Sequence, residues 1–167
     1  MIYTFEEALA QPAVRVGEET RDLAGLPGFV IASDLEERFY TSNNLPEQLS
    51  ALFSGINPRR LDEDALEVAC ARAQERVRGA TLLENDIQLL YRAQANAGLL
   101  GVPAYLRRPG RLEAEEFLSR PPGAELLFAL KHLWARDWTF DAVLARLDAG
   151  TGIGLEAGPV LVLPGRA

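Results

Sequence analysis

The sequence predicts an α+β fold: a small antiparallel sheet packed by several helices, including a helical hairpin near residues 58–97. Three observations lead there. Short β-prone runs occur at Val14–Val16, Phe29–Ala32, Arg38–Thr41 and Val160–Leu163. Apolar residues recur at spacings of three and four in Leu66, Ala69, Cys70, Ala73 and Val77, the period of a helix with one buried face. The two kinds of segment are grouped along the chain and do not alternate as βαβ units would. At 167 residues, 48% hydrophobic and 25% charged, the chain is long enough to close one core, so residues 1–167 are expected to form a single domain.

The elements follow in order. Thr4-Phe5-Glu6-Glu7 reads as a capping box opening a short helix before Pro12. Val14–Val16 alternates like a strand, and residues 28–42 read as a β-hairpin turning at Ser33–Glu36. Asn44-Leu45-Pro46-Glu47 starts a helix that Gly55 ends. The next helix starts at Asn57-Pro58, carries Asp62–Asp64 near its start and Arg76 and Arg78 near its end, and stops at Gly79. Thr81–Glu84 is a second capping box, and Leu83, Ile87 and Leu90 stripe a helix that Gly98 closes. About three residues join these two helices, the length of an αα-hairpin connection.

Val102–Leu106 reads as a strand that Pro103 confines to an edge, and Leu112–Leu118 as a short amphipathic helix. A helix over 123–136 buries Leu126, Leu127, Leu130, Leu133 and Trp134, and Thr139 caps a last helix through Leu147. Val160–Leu163 is a closing strand, expected to pair with Ile153–Leu155.

Composition limits the function. Net charge is −7, and residues 1–44 carry most of it, with three Arg against eight acids. Such a chain repels phosphate backbones, so direct nucleic-acid binding is not expected. One cysteine, Cys70, excludes an internal disulfide and fits a reducing compartment. The N-terminus has no basic segment followed by an apolar one, and no apolar run approaches a membrane span. The expected location is the cytoplasm.

Catalytic signals are few. His132 is the sole histidine and sits mid-helix, so neither a His-based triad nor a His-rich metal site is expected. Gly150-Thr151-Gly152-Ile153-Gly154 follows a helix and precedes a strand, the reverse of a dinucleotide fingerprint. Glu63 and Glu67 share one helix face, and Glu84 and Asp86 lie on the next helix. Two such helices face to face would hold Mg²⁺. The segment Glu84–Tyr91 resembles the second metal helix of the all-α nucleotide pyrophosphohydrolases, the MazG-like family, whose acids are paired at a spacing of three. Here Glu84 and Asp86 are two apart, about 200° around the helix. A metal-dependent nucleotide phosphohydrolase using Glu63, Glu67, Glu84 and Asp86 is therefore the alternative reading.

The main reading is a non-enzymatic protein-interaction module, chaperone-like or adaptor-like, with no cofactor. The cationic loop around Tyr105, Arg107, Arg108 and Arg111 is its candidate contact surface, together with Trp138 at a helix boundary, because Trp and Arg dominate binding hot spots. The nearby Glu113, Glu115 and Glu116 are the competing partners for those arginines. The α-β-β-β-α order expected over residues 4–54 resembles the small acidic secretion-chaperone-like modules, including the YbjN-like group. That resemblance implies a homodimer that holds a partner protein.

Overall fold

Five short strands form one antiparallel sheet in the order β1-β2-β5-β3-β4: β1 (Ile2–Thr4), β2 (Phe29–Ile31), β3 (Pro103–Arg107), β4 (Ala114–Leu118) and β5 (Val160–Pro164). The computed structural model describes residues 1–167. Helices α1 (Ala13–Val16), α2 (Ser33–Ser42), α3 (Leu45–Phe53), α4 (Glu63–Gly79), α5 (Glu84–Asn96), α6 (Ala124–Ala135) and α7 (Phe140–Asp148) surround it, with three 3₁₀ turns. The fold is α+β with a small sheet packed by helices, as the sequence predicts. No helix is long and apolar enough to cross a membrane.

Strand periodicity divides the interior in two. Phe29, Ile31, Leu106, Val160 and Val162 point into a large core with the buried faces of α2 to α7. Val30, Leu161 and Leu163 point the other way, against Phe5, Ala8 and Val16. The second face of the sheet is thus covered by the N-terminal segment. β5 is the central strand, and Val160 to Leu163 are all buried. It pairs with β2 and β3, not with residues 153–155 as expected. Its run of four apolar residues is the mark of a strand buried on both faces.

The helix signals hold where caps and periodicity agree. The Asp62 carboxylate accepts the Ala65 N–H at 3.1 Å, and Thr139 Oγ1 accepts the Ala142 N–H at 3.3 Å. α4 starts five residues later than expected, at this Asp62 cap. Thr81 does not cap α5; its N–H and C=O instead bond the Asn43 side chain, which ties the α4–α5 link to the end of α2. The two helices are joined by residues 80–83, and each packs chiefly elsewhere: α4 on α3, α6 and α7, and α5 on α6 and β1.

Three elements differ in type from expectation. Residues 13–16 are a helical turn, and the 28–42 hairpin is β2 followed by α2. In α2, Leu35 and Phe39 stack four apart on the core side, and that burial outweighs the β-propensity of Phe39-Tyr40-Thr41. Residues 114–118 are a strand, not a helix. As an edge strand with one solvated side, β4 has no apolar alternation to betray it. The order over residues 4–54 is accordingly not α-β-β-β-α. β3 is an interior strand despite Pro103, which occupies its first position, where its ring displaces no ladder bond.

Gly28 sets the entry into β2. Its φ is +123°, and a Cβ there would lie 2.4 Å from the Val162 carbonyl oxygen and 2.8 Å from the Phe5 ring. Gly28→Ala is expected to cost about 2–4 kcal/mol, from strained backbone and a clash with the central strand. Denaturant unfolding measures it.

Candidate functional site

Arg108, at the end of β3, is the centre of a buried ion cluster. Its Nη1 and Nη2 donate to Glu36 Oε1 and Oε2 at 2.9 and 3.0 Å. Nη2 also donates to Asp137 Oδ2 at 2.7 Å, and Nη1 to the Gly158 carbonyl at 2.9 Å. The Gly158 N–H returns to Glu36 Oε1 at 2.9 Å. The Glu36 side chain is 1% exposed and that of Arg108 11%. Burial pushes the Glu36 carboxyl up, opposed by Arg108 and the Gly158 N–H. Burial alone would lower the Arg108 guanidinium, but Glu36 and Asp137 together hold it above its ordinary value.

The sequence builds this locally from simple parts. Glu36 and Tyr40 are one helical turn apart on α2 and share a face. Asp137 and Trp138 lie on the 3₁₀ turn Arg136–Trp138 between α6 and α7. Trp138 Nε1 donates to the Tyr40 hydroxyl at 2.9 Å, and the Arg146 guanidinium stacks 4.9 Å over the Trp138 ring. Burial pushes the Tyr40 hydroxyl up, with Glu36 adding to it. All four Nη hydrogens of Arg108 and both oxygens of Glu36 are engaged. Chemically the Arg108–Glu36 pair is a saturated clamp, while Asp137 Oδ1 has only Arg111 near it, at 3.7 Å.

Above Glu36 and Tyr40 lies the largest cavity, a cleft of about 810 Å³ between the N-terminal turn, α2 and residues 155–157. Arg15 Nη2 and Asp34 Oδ2 pair at 2.7 Å across one wall, while Asp34 Oδ1 is buried without a partner. The exposed carboxylates Glu37, from α2, and Glu156, from the 155–157 segment, line it, as does Val14, 87% exposed, from the N-terminal turn.

The arginines expected at a contact surface are largely committed inside the chain. Arg107 is ion-paired to Glu19, which also accepts the Gly110 N–H at 2.7 Å. Arg108 is the clamp. Arg111 is exposed, 3.7 Å from Asp137 Oδ1. Tyr105 packs half-buried on the smaller core. Trp138 is buried at 3% exposure, so the surface role expected for it is corrected to a core role. Their carboxylate partners are not the neighbouring Glu113, Glu115 and Glu116; Glu115 pairs with Arg136 instead.

The acids of the metal reading do not converge. Glu63, Glu67 and Glu84 are exposed, and Asp86 is buried against Arg38 at 3.2 Å. No three His, Cys, Asp or Glu side chains come together in a metal-binding group. Both helices pack on α6 and neither packs chiefly on the other, so the face-to-face geometry that reading needs is absent. Burial pushes the Cys70 thiol up to about 11, far from a reactive thiolate, and His132 is exposed on α6.

Sequence reasoning missed Glu36, Asp137, Gly158 and the cleft. The available signals were the Glu36–Tyr40 spacing and the acidity of residues 1–44. The chain matches no known protein-family model and no curated protein.

Two outcomes follow. Arg108→Met is expected to cost about 3–5 kcal/mol, because it leaves two buried carboxyl groups without their cation. Denaturant unfolding checks this. Glu19 is held below the usual glutamate range, chiefly by its Arg107 hydrogen bond. Its contribution is complete above the ordinary pKa of about 4.3 and is lost as pH falls through the lowered native value. Stability measured across that range should fall less steeply in Glu19→Gln than in the wild type.

Proposed function

We propose that the chain is a non-catalytic binding module whose cleft receives a basic, partly apolar segment of a partner protein. The observation that carries this is the pairing of charges. The Asp34 and Glu36 carboxylates lining the cleft are paired internally with Arg15 and Arg108, while Glu37, on α2, and Glu156, on the 155–157 segment, are exposed and form no ion pair. Between them, Val14, Pro12, Pro46 and Leu155 supply apolar surface. The volume lies in the range of binding cavities, about 300–1,000 Å³. A net charge of −7 would steer a cationic segment toward it.

This reading places the protein in the cytoplasm, where the lone buried thiol of Cys70 stays reduced. Its support is the cleft itself, not the opening element order, which differs from the expected one.

The test uses a fluorescent peptide of alternating arginine and leucine. Glu37→Lys with Glu156→Lys is expected to weaken binding by about tenfold or more, which is about 1.4 kcal/mol. Glu63→Lys with Glu67→Lys, on α4, makes the same change in net charge and should leave the affinity nearly unchanged. Equal losses in both variants would mean unspecific attraction and would defeat the proposal, as would a wild-type protein that does not bind the peptide.

A further inference from the structure

We propose that the chain forms a two-fold symmetric dimer in which the free edge of β4 pairs antiparallel with β4 of a second copy, centred on Phe117. β4 is the last strand of the sheet and pairs on one side only, with β3. The direction of its backbone groups can be assigned. The Ser119 carbonyl accepts the Gly101 N–H at 2.7 Å on the inner side, and the Arg136 Nη2 reaches the Ala114 carbonyl at 3.1 Å. Backbone groups alternate along a strand, so Glu115, Phe117 and Ser119 bond inward. Ala114, Glu116 and Leu118 present their N–H and C=O outward. Arg136 closes the Ala114 end, and at the other end the Arg120 N–H is turned onto Glu125 Oε1 at 3.4 Å. The open stretch is therefore Glu116 to Leu118.

A stretch so short suits a partner strand that is equally short and equally bounded, which a second copy supplies. Its register is constrained. Centring on Glu116 would set this carboxylate opposite itself, which is destabilising. Centring on Phe117 sets Glu116 opposite the partner's Leu118 and Leu118 opposite the partner's Glu116, each pair exchanging both ladder bonds. Phe117 then faces the partner's Phe117 in the closer, non-hydrogen-bonded position, where aromatic pairs stabilise a sheet. Arg120 falls diagonal to the partner's Glu116, so the charges across the seam are complementary.

The helix above the edge continues the same surface. Phe128, His132 and Arg136 follow one another at spacings of four along one side of α6 and its 3₁₀ extension. Arg136 Nε bonds Glu115 Oε1 at 2.7 Å, which places this row over the open edge. Phe128 is 60% exposed on the α6 side of the edge, and Leu118, on the opposite face of the sheet, is 51% exposed. Residues 114–118 carry no proline or lysine, the usual devices against edge pairing.

Light scattering after size exclusion tests the proposal. At about 100 µM, where a micromolar interface is saturated, the wild type should show twice the mass of the chain. Glu116→Pro removes an outward N–H and, within the chain, only the exposed bond from the Ala167 N–H to Glu116 Oε1, so it should stay folded and run as a monomer. Phe117→Cys should give a disulfide-linked dimer on mild oxidation, while Leu112→Cys, at the exposed β3–β4 turn, should not. A monomeric wild type overturns the proposal. So does a dimer that persists in a folded Glu116→Pro, or one in which Phe117→Cys links no better than Leu112→Cys. If Glu116→Pro fails to fold, the cysteine comparison decides alone.

Discussion

A guanidinium buried between two carboxyl groups holds this molecule together at its least regular point. Arg108 joins β3 to α2 through Glu36, to the α6–α7 junction through Asp137, and to the segment before β5 through Gly158. Taking three ionisable groups out of water is expensive. The cost is offset because all the Nη hydrogens of Arg108 and both oxygens of Glu36 are matched. Such a cluster admits one arrangement of the four segments, since shifting any of them would strand a buried polar group.

The sheet and its two cores are built around that clamp. β5 lies at the centre because it is apolar on both faces, and α2 follows β2 directly, delivering Glu36 to the end of β3. The N-terminal segment covers the second face of the sheet and also supplies one wall of the cleft, through Val14 and Arg15. The Glu19–Arg107 pair fastens the same segment to β3, next to the clamp. Packing and electrostatics therefore act on the same pieces of chain.

The two surfaces argued to bind partners are of different kinds. The cleft offers side-chain charge over scattered apolar contacts, which suits a segment recognised by its cations. The β4 edge offers backbone hydrogen bonds of fixed spacing, which suits another strand. They draw on separate elements, α2 with the 155–157 segment in one case and β4 with α6 in the other, so each stands on its own geometry.

By itself the sequence determined the α+β class, the positions of α3 to α7 and the strands at Phe29, Pro103 and Val160. These are written in near neighbours: periodic apolar residues, the Thr139 cap, Gly and Pro at the ends. Tertiary structure alone decided the identity of α2 and β4. The first is a helix because Leu35 and Phe39 bury together four apart, and the second a strand because β3 is available to pair with it. It also decided which acids meet which arginines. Arg108 finds Glu36 across 72 positions and Asp137 across 29. Glu113, Glu115 and Glu116, a few residues away, leave it alone. An arginine near a glutamate is a common local pattern and names no partner. The choice is made by the packing that brings α2, β3 and the α6–α7 junction within reach of one another, and short-range sequence patterns carry no record of it.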